Sequence, residues 1–282
     1  MKSRKKISFA LTMCMLIIML SACGEKGTTN SIGKKDSPIP ASEAFAQEGI
    51  WFYAEKPVTK DARIDAILVF DAQGNVTHYR TSHSRNDLKF GDLQDLSDED
   101  ILNLARERDK TLFELDMLDW TGKADYVIEE CERMIEGDAG ANSEFTATTQ
   151  EALNANKAMK TRGEQFGYKE PQPHSFQLKI ETDGTGNQTA KEALVYPYTS
   201  VSLMWQGYSF HSKLTMEEAE AWTPYKDSKW KVNLYPSAGA MTVYDMQFVS
   251  LGYLSKKIEG EHPGFVLDTP VKSMIKMFLW LV

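Results

Sequence analysis

The amino-acid sequence predicts an α+β fold: a mainly antiparallel β-sheet, as a sandwich or a partly open barrel, with a helical block inserted near residues 97–162. Three observations support this prediction. Aromatic and β-branched side chains dominate residues 48–81, helix-start signals and helical spacing mark residues 97–162, and strand-like alternation returns from residue 175. Strands in runs, with the helices segregated between them, favour α+β over alternating βα units.

The first strands are joined by a turn of recognisable composition. Residues 49–53 (GIWFY) and 64–70 are β-prone, and residues 71–77 (DAQGNVT) carry turn residues that repeat as residues 183–189 (DGTGNQT). Two hairpin turns explain the repeat, because Asp starts a turn and Gly supplies a positive φ. A duplicated strand pair and calcium binding are the alternatives, although calcium needs six to eight ligands and each turn offers fewer.

Capping signals place the helices. Ser97 is the expected N-cap of a helix that runs to about Leu118, since three acids follow it. Residues 124–136 and 149–162 are expected to form a second and a third helix. A capping box formed by Thr215 with the glutamate three residues later is expected to open a short helix.

Strands are again expected from residue 175 onward. Apolar and polar side chains alternate there, and turn residues separate the segments. The expected strands are near residues 176–180, 193–196, 201–208, 230–235, 241–252 and 265–267.

The N-terminus divides into three zones. Residues 1–6 are basic without an acid, residues 7–20 form an apolar run of 14, and small residues follow. A basic region, a short apolar core and small residues at a cleavage point form a secretory signal peptide. Since a membrane-spanning helix needs about 20 apolar residues, the run of 14 is better explained as a removable segment.

Leu20-Ser21-Ala22-Cys23 resembles the lipobox of bacterial lipoproteins. The resemblance implies a lipid on Cys23 and cleavage between Ala22 and Cys23. The expected organisation is a lipoprotein signal peptide (1–22), a flexible tether (23–45), one extracellular α+β domain (46–270) and an apolar tail (271–282). Whether that tail is a native C-terminus stays open. The expected location is the outer face of the bacterial cytoplasmic membrane, and the membrane is the expected partner.

The net charge argues against nucleic-acid binding, and the cysteine content argues against an intrachain disulfide. Removal of residues 1–22 takes away four basic residues and no acid, so the net charge becomes −12 against −8 for the full chain. Nucleic-acid binding requires a basic surface, so nucleic acid is not an expected partner. Only Cys131 remains unmodified beyond the lipid-bearing position, so no intrachain disulfide is expected.

The sequence contains no nucleophile elbow, zinc motif, phosphate loop or Cys-x-x-Cys pair. No two of the five histidines have metal-ligand spacing on a helix or strand, and Cys131 lies on an apolar helical face. No catalytic residue, metal or cofactor is therefore predicted. A pair of carboxyl groups brought together by the fold stays open, because tertiary proximity is not visible in the sequence.

Aromatic residues are the stronger signal for binding. They concentrate on the predicted strands and their ends: Trp51, Phe52, Tyr53, Tyr196, Tyr198, Trp205, Tyr208, Phe210, Trp222, Tyr225, Trp230 and Tyr235. Core packing explains such a set, and a concave surface that stacks sugar rings or holds an apolar ligand is the functional alternative. The candidate ligand-binding residues are Trp51, Tyr53, Trp205 and Tyr208.

Two further resemblances bear on function. Gly49-x-Trp51 resembles the opening strand of lipocalins and implies a barrel with a ligand cavity. The chain as a whole is similar to uncharacterised lipoproteins of low-GC Gram-positive bacteria. That similarity depends on residues 49–53, 70–77, 96–101 and 182–187 and implies no activity.

These observations favour a non-enzymatic binding or scaffolding module on the cell surface, with an envelope protein or a small ligand as its partner. A lipocalin-like carrier of an apolar ligand and an envelope hydrolase are the alternatives. The hydrolase requires two titratable groups that converge in a cleft.

Overall fold

A seven-stranded antiparallel sheet forms the centre of the fold in the computed structural model of this chain, which describes residues 37–55, 57–82, 87–138, 143–202, 214–236 and 239–270. All of these residues belong to one compact unit that begins at Asp36. The predicted signal peptide, Ala22, Cys23, Trp205, Tyr208 and the apolar tail 271–282 lie outside the described residues.

The strands are β1 (Ile39–Pro40), β2 (Gly49–Tyr53), β3 (Arg63–Ile64), β4 (Ala66–Phe70), β5 (Asn75–Arg80), β6 (Leu88–Lys89), β7 (His174–Ser175), β8 (Gln177–Thr182), β9 (Thr189–Val201), β10 (Tyr225–Leu234), β11 (Met241–Val243), β12 (Met246–Leu251), β13 (Leu254–Ile258) and β14 (Phe265–Val266). The helices are α1 (Ala41–Phe45), a 3₁₀ helix (Phe90–Leu93), α2 (Asp98–Asp138), α3 (Ser143–Gly163) and α4 (Met216–Ala221). The central sheet has the order β11-β12-β13-β2-β4-β5-β7, and β10-β9-β8 form a second, three-stranded sheet.

The prediction of an α+β fold with a mainly antiparallel sheet is confirmed. In the part of the chain that the structure describes, the two larger sheets share one core as in a sandwich and are not closed into the barrel that the lipocalin resemblance implied. Residues 39–45, assigned from the sequence to the tether, form β1 and α1 and are mostly buried, so the folded domain begins before residue 46.

Both faces of the central sheet are covered, which explains why β4 is apolar along its whole length. On one face, Trp51 and Leu68 pack with Leu194 of the three-stranded sheet. On the other face, Phe52 and Phe248 pack with the 3₁₀ helix and the first turns of α2. The three-stranded sheet therefore covers the first face of the central sheet, and helices cover the second face.

Helix α2 is one continuous helix of 41 residues, about 60 Å long, where two helices were expected. Gly122 does not interrupt it, because a helical glycine costs only about 1 kcal/mol relative to alanine and no proline lies in this segment. Side chains on either side of Gly122, including Trp120 and Ala124, pack against Met159 of α3. Tertiary packing therefore offsets the local signal for a break.

The predicted caps form. The Asp100 N–H donates to Ser97 Oγ at 3.1 Å, and the Ser97 N–H donates to Asp100 Oδ2 at the same distance. Thr215 and Glu218 form the capping box of α4.

The repeated turn motif forms two turns. Asp71 Oδ1 accepts hydrogen bonds from the N–H groups of Gln73 and Asn75, and Gly74 adopts a φ of +80°. Asp183 accepts from the Thr185 N–H in the same way. Because these carboxylates bind backbone N–H groups, turn chemistry explains the repeat.

Candidate functional site

The two described candidate ligand residues have different environments. Trp51 is fully buried, and its ring packs 4.8 Å from the ring of Phe45 and 5.0 Å from that of Phe265. It is therefore a core residue. Tyr53, two residues further along β2, is half-buried and lies at the end of the strand, where the core meets the solvent. Trp205 and Tyr208, the other two candidates, lie outside the described residues.

Three tyrosines meet at this end of the sandwich, and we call them the tyrosine surface: Tyr53, Tyr235 and Tyr253. The ring centroids of Tyr53 and Tyr253 are 6.2 Å apart, and those of Tyr253 and Tyr235 are 6.3 Å apart, both in edge-to-face geometry. Tyr235 is 51 % exposed and Tyr253 is 43 % exposed. Edge-to-face pairs are favourable for aromatic rings, so the exposed rings hold one another in place.

The backbone fixes the relative positions of the three tyrosines. Tyr253 lies in the turn between β12 and β13, and its carbonyl accepts a hydrogen bond from the Ala54 N–H at 3.0 Å. The Gly252 N–H donates to the Tyr235 carbonyl at 2.8 Å. Gly252 adopts a φ of +67°, and a Cβ there would lie 2.8 Å from the Asn233 carbonyl oxygen, so only glycine permits this close approach.

Two carboxylates, those of Glu55 and Asp65, lie close to Tyr53 in the tyrosine surface. Burial raises the pKa of the Tyr53 hydroxyl, and the negative charges of Glu55 and Asp65 raise that pKa further. Burial also raises the pKa of Asp65, even though Arg63 Nε lies 2.6 Å from its carboxylate. The surface therefore combines aromatic edges with hydrogen-bond acceptors of negative charge.

Behind the tyrosine surface, an aromatic stack continues into the core. Trp230 contacts Tyr53 edge-to-face at 5.3 Å, and His78 stacks on Tyr198 at 4.9 Å with an interplanar angle of 11°. His78 Nδ1 lies 2.9 Å from the Tyr196 hydroxyl oxygen. Burial lowers the pKa of His78 to about 3, and the charge of Arg80 lowers it too, so this histidine is a neutral packing residue.

A second polar cluster joins helix α2 to β5. Asp109 accepts hydrogen bonds from the Arg80 N–H and the Tyr168 hydroxyl, both at 3.0 Å. Arg80 also bonds Asp116 through Nη1 at 2.9 Å. Since Asp109 is 5 % exposed, this cluster attaches the helix to the sheet and does not face a cleft.

Among the described residues, two groups of titratable side chains are candidates for the pair of carboxyl groups that a hydrolase requires. Glu192 and Asp268 adjoin each other, but each is 1 % exposed and lies in the interior of the sandwich. A surface cavity of about 370 Å³ is lined by Asp95, Asp245, Glu259 and Lys257. The Lys257 ammonium in that cavity donates to the Leu96 carbonyl. No observation on these groups favours a hydrolase.

The described part of the chain contains no cluster of three or more His, Cys, Asp or Glu side chains that could hold a metal ion. Burial raises the pKa of the Cys131 thiol, which keeps it protonated and unreactive. Within the same residues, no helix combines the length and the apolar character that a membrane span requires.

Comparison with known protein families, with curated proteins and with solved structures found no match to this chain.

Of the three tyrosines, Tyr53 was a predicted ligand-binding residue and Tyr235 was among the aromatic residues of the predicted strands, whereas Tyr253 was not predicted. The one local signal was the glycine that precedes it, because Gly-Tyr between two apolar strands is typical of a hairpin turn. The turn that carries Tyr253 lies against the ends of β2 and β10 because of the order of strands in the sheets. The sequence pattern does not contain that order.

Proposed function

We propose that this protein is a lipid-anchored lipoprotein of the cell surface whose folded domain binds a neutral sugar chain of the envelope without catalysing a reaction. The observation that carries the proposal is the tyrosine surface: three partly exposed rings held on the ends of β2 and β10 and on the turn between β12 and β13.

The chemistry of these side chains suits a sugar. Aromatic rings stack against the apolar C–H face of a pyranose, and carboxylates accept hydrogen bonds from its hydroxyl groups. Glu55 and Asp65 supply the carboxylates beside Tyr53. Rings fixed in advance lose little conformational entropy on binding, which favours affinity.

The negative charge of the protein limits which sugar polymers can bind to it. The chain beyond residue 22 has a net charge of −12, and the carboxylates of Glu55 and Asp65 lie close to Tyr53. Like charges repel, so a phosphate-rich polymer is disfavoured. A neutral glycan built from N-acetylated hexosamine is compatible with both observations.

Calorimetric titration of soluble protein with a tetramer of N-acetylglucosamine tests the binding site. Wild-type protein is expected to bind it, and poly(glycerol phosphate) is expected not to bind. Tyr235→Ala and Tyr253→Ala are each expected to weaken binding about tenfold, which corresponds to about 1.4 kcal/mol for one lost stacking contact.

Tyr126→Ala is the matched control, because Tyr126 is 64 % exposed and lies on α2, away from the site. Equal weakening by the control, or retention of wild-type affinity by both site variants, would contradict the assignment. Circular dichroism of each variant separates lost binding from lost folding.

The anchor is tested separately. Replacement of Cys23 by alanine is expected to abolish metabolic labelling with a radioactive fatty acid and to release the protein from the membrane fraction, because lipid attachment requires the thiol. Persistent membrane association of the unlabelled variant would show that another segment holds the chain.

A further inference from the structure

Two buried carboxyl groups meet where both ends of the described domain come together. Asp268, two residues after β14, donates its backbone N–H to Glu192 Oε2 of β9 at 2.7 Å. Its carboxylate accepts from Ser42 of α1, from the backbone N–H at 3.1 Å and from the hydroxyl at 2.9 Å. The Thr189 hydroxyl donates to the Asp268 carbonyl.

These contacts connect three segments that are distant in sequence. The N-terminal segment, residues 37–45, pairs with the C-terminal segment, residues 262–270, through β1 and β14. Both segments are joined to the three-stranded sheet at Glu192. Phe265 of the C-terminal segment covers the ring of Trp51, so the same contacts close one side of the core.

Glu192 lies in surroundings that disfavour its charge. Its strand partners are the apolar Ile180 and Leu234, and its Oε1 is buried without a hydrogen-bond partner within the described residues. The hydrogen bond from the Asp268 N–H holds the Glu192 carboxyl group beside Asp268, whose negative charge raises the pKa of Glu192. Two adjacent buried carboxylates would repel each other.

Asp268 is the charged group that acts on Glu192 among the described residues. Ser42 and Thr189 contribute uncharged hydroxyls. Lys191 directly precedes Glu192 on β9. Its ammonium group is exposed and lies 3.4 Å from the Glu181 carboxylate, so it does not neutralise Glu192.

We propose that Glu192 and Asp268 form a proton-dependent latch, which holds the N-terminal and C-terminal segments on the sandwich while the pair carries a proton and releases them when that proton is lost. The latch consists of the buried contacts among Glu192, Asp268 and Ser42 and does not depend on the sugar-binding proposal.

The direction of the response follows from proton linkage. Burial raises the pKa of Glu192 to about 7 from an ordinary 4.5, and the charge of Asp268 raises it too. A group with a raised pKa in the closed state favours that state at low pH, and the preference falls as the pH rises through 7. If release restores the ordinary pKa, the equilibrium constant for opening increases roughly 300-fold from pH values well below 4.5 to pH values well above 7.

Hydrogen exchange of soluble wild-type protein, corrected for the intrinsic pH dependence of exchange, tests the latch. Protection of amides in residues 37–45 and 262–270 is expected to fall by roughly two orders of magnitude between pH 5 and pH 9. Amides in β4, at the centre of the main sheet, are expected to keep their protection.

Glu192→Gln is the decisive variant. A neutral amide keeps the acceptor for the Asp268 N–H and has no proton to lose, so both segments are expected to stay protected at every pH. Glu181→Gln changes an exposed glutamate of the neighbouring strand β8 and is expected to behave as wild type. His262 packs on Phe265, and burial lowers its pKa, so its titration favours the closed segments at high pH, which is the opposite sign to the latch.

A carbon-13 NMR titration of the wild-type glutamate carboxyl groups, with Glu192 assigned through bonds from its own backbone resonances, keeps the proposal falsifiable if the variant fails to fold. The expected resonance titrates near pH 7. An ordinary glutamate titration, or exchange in the two segments that is independent of pH or retains its pH dependence in Glu192→Gln, would overturn the latch.

Discussion

At the scale of single residues, Gly122 of α2 and Gly163 of α3 show how neighbouring atoms determine the effect of adding one methyl group. A Cβ on Gly163, the last residue of α3, would overlap the ring of Trp120, whereas a Cβ on Gly122 would meet open space. Trp120 is fully buried and stacks on Trp222 at 4.8 Å, so its ring has no room to move.

Gly163→Ala is therefore expected to lower the free energy of unfolding by about 1–3 kcal/mol, the usual cost of overpacking. Gly122→Ala, the matched control, is expected to raise it by up to about 1 kcal/mol, because alanine is the better helix former. Urea denaturation of both variants measures the difference. Changes of the same sign would show that Trp120 yields or that α2 is distorted at Gly122.

At the scale of elements, the long helix α2 is attached to the sheet by a polar contact as well as by apolar packing. Asp109 binds both the Arg80 backbone and the Tyr168 hydroxyl. Burial raises the pKa of this carboxyl group, although Arg80 opposes the shift. The contact therefore depends on two partners, Arg80 at the end of β5 and Tyr168 in the segment between α3 and β7.

Asp109→Ala is expected to lower the free energy of unfolding by about 3 kcal/mol, since it leaves buried donors without an acceptor. Glu114→Ala on the same helix removes an exposed ion pair to Lys110, with a separation of 3.8 Å, and is expected to cost less than about 0.5 kcal/mol. Urea denaturation at pH 7 compares the two. Similar losses would mean that Asp109 is no better coupled than a surface charge.

At the scale of the whole molecule, two buried groups give opposite pH dependences. His78 has a pKa lowered to about 3, so its contribution to stability is complete above pH 6.5 and is lost as the pH falls. Glu192 has a pKa raised to about 7, so its contribution is complete below pH 4.5 and is lost as the pH rises. The two contributions to the slope of the free energy of unfolding against pH have opposite signs, and they cancel between roughly pH 4.5 and 6.5.

His78→Phe is expected to remove the positive slope, so that stability falls with rising pH by about 1.4 kcal/mol per pH unit across that interval relative to wild type. Tyr196→Phe, the control, removes the hydroxyl beside Nδ1 but keeps the titrating ring. Urea denaturation from pH 4 to 8 measures all three proteins. If the free energy of unfolding changes with pH in the same way in wild type and His78→Phe, this histidine does not contribute to the pH dependence of stability.

The sequence determined the features that depend on neighbours along the chain. The Ser97 and Thr215 caps, the turns at Asp71 and Asp183 and the strand-helix-strand order all follow from local hydrogen bonding and side-chain alternation, and each is found. The fold class was predictable for the same reason, because runs of strands and segregated helices are visible in composition and spacing.

Only the tertiary structure decided what distant residues do together. It made α2 continuous through Gly122 by packing that helix on α3, and it placed Trp51 inside the core while Tyr53 met Tyr235 and Tyr253 at the surface. It also brought Glu192 against Asp268, which lies 76 residues away. The physical reason is that these contacts depend on sheet order and on the register between strands. Local patterns in the sequence leave both of these unspecified.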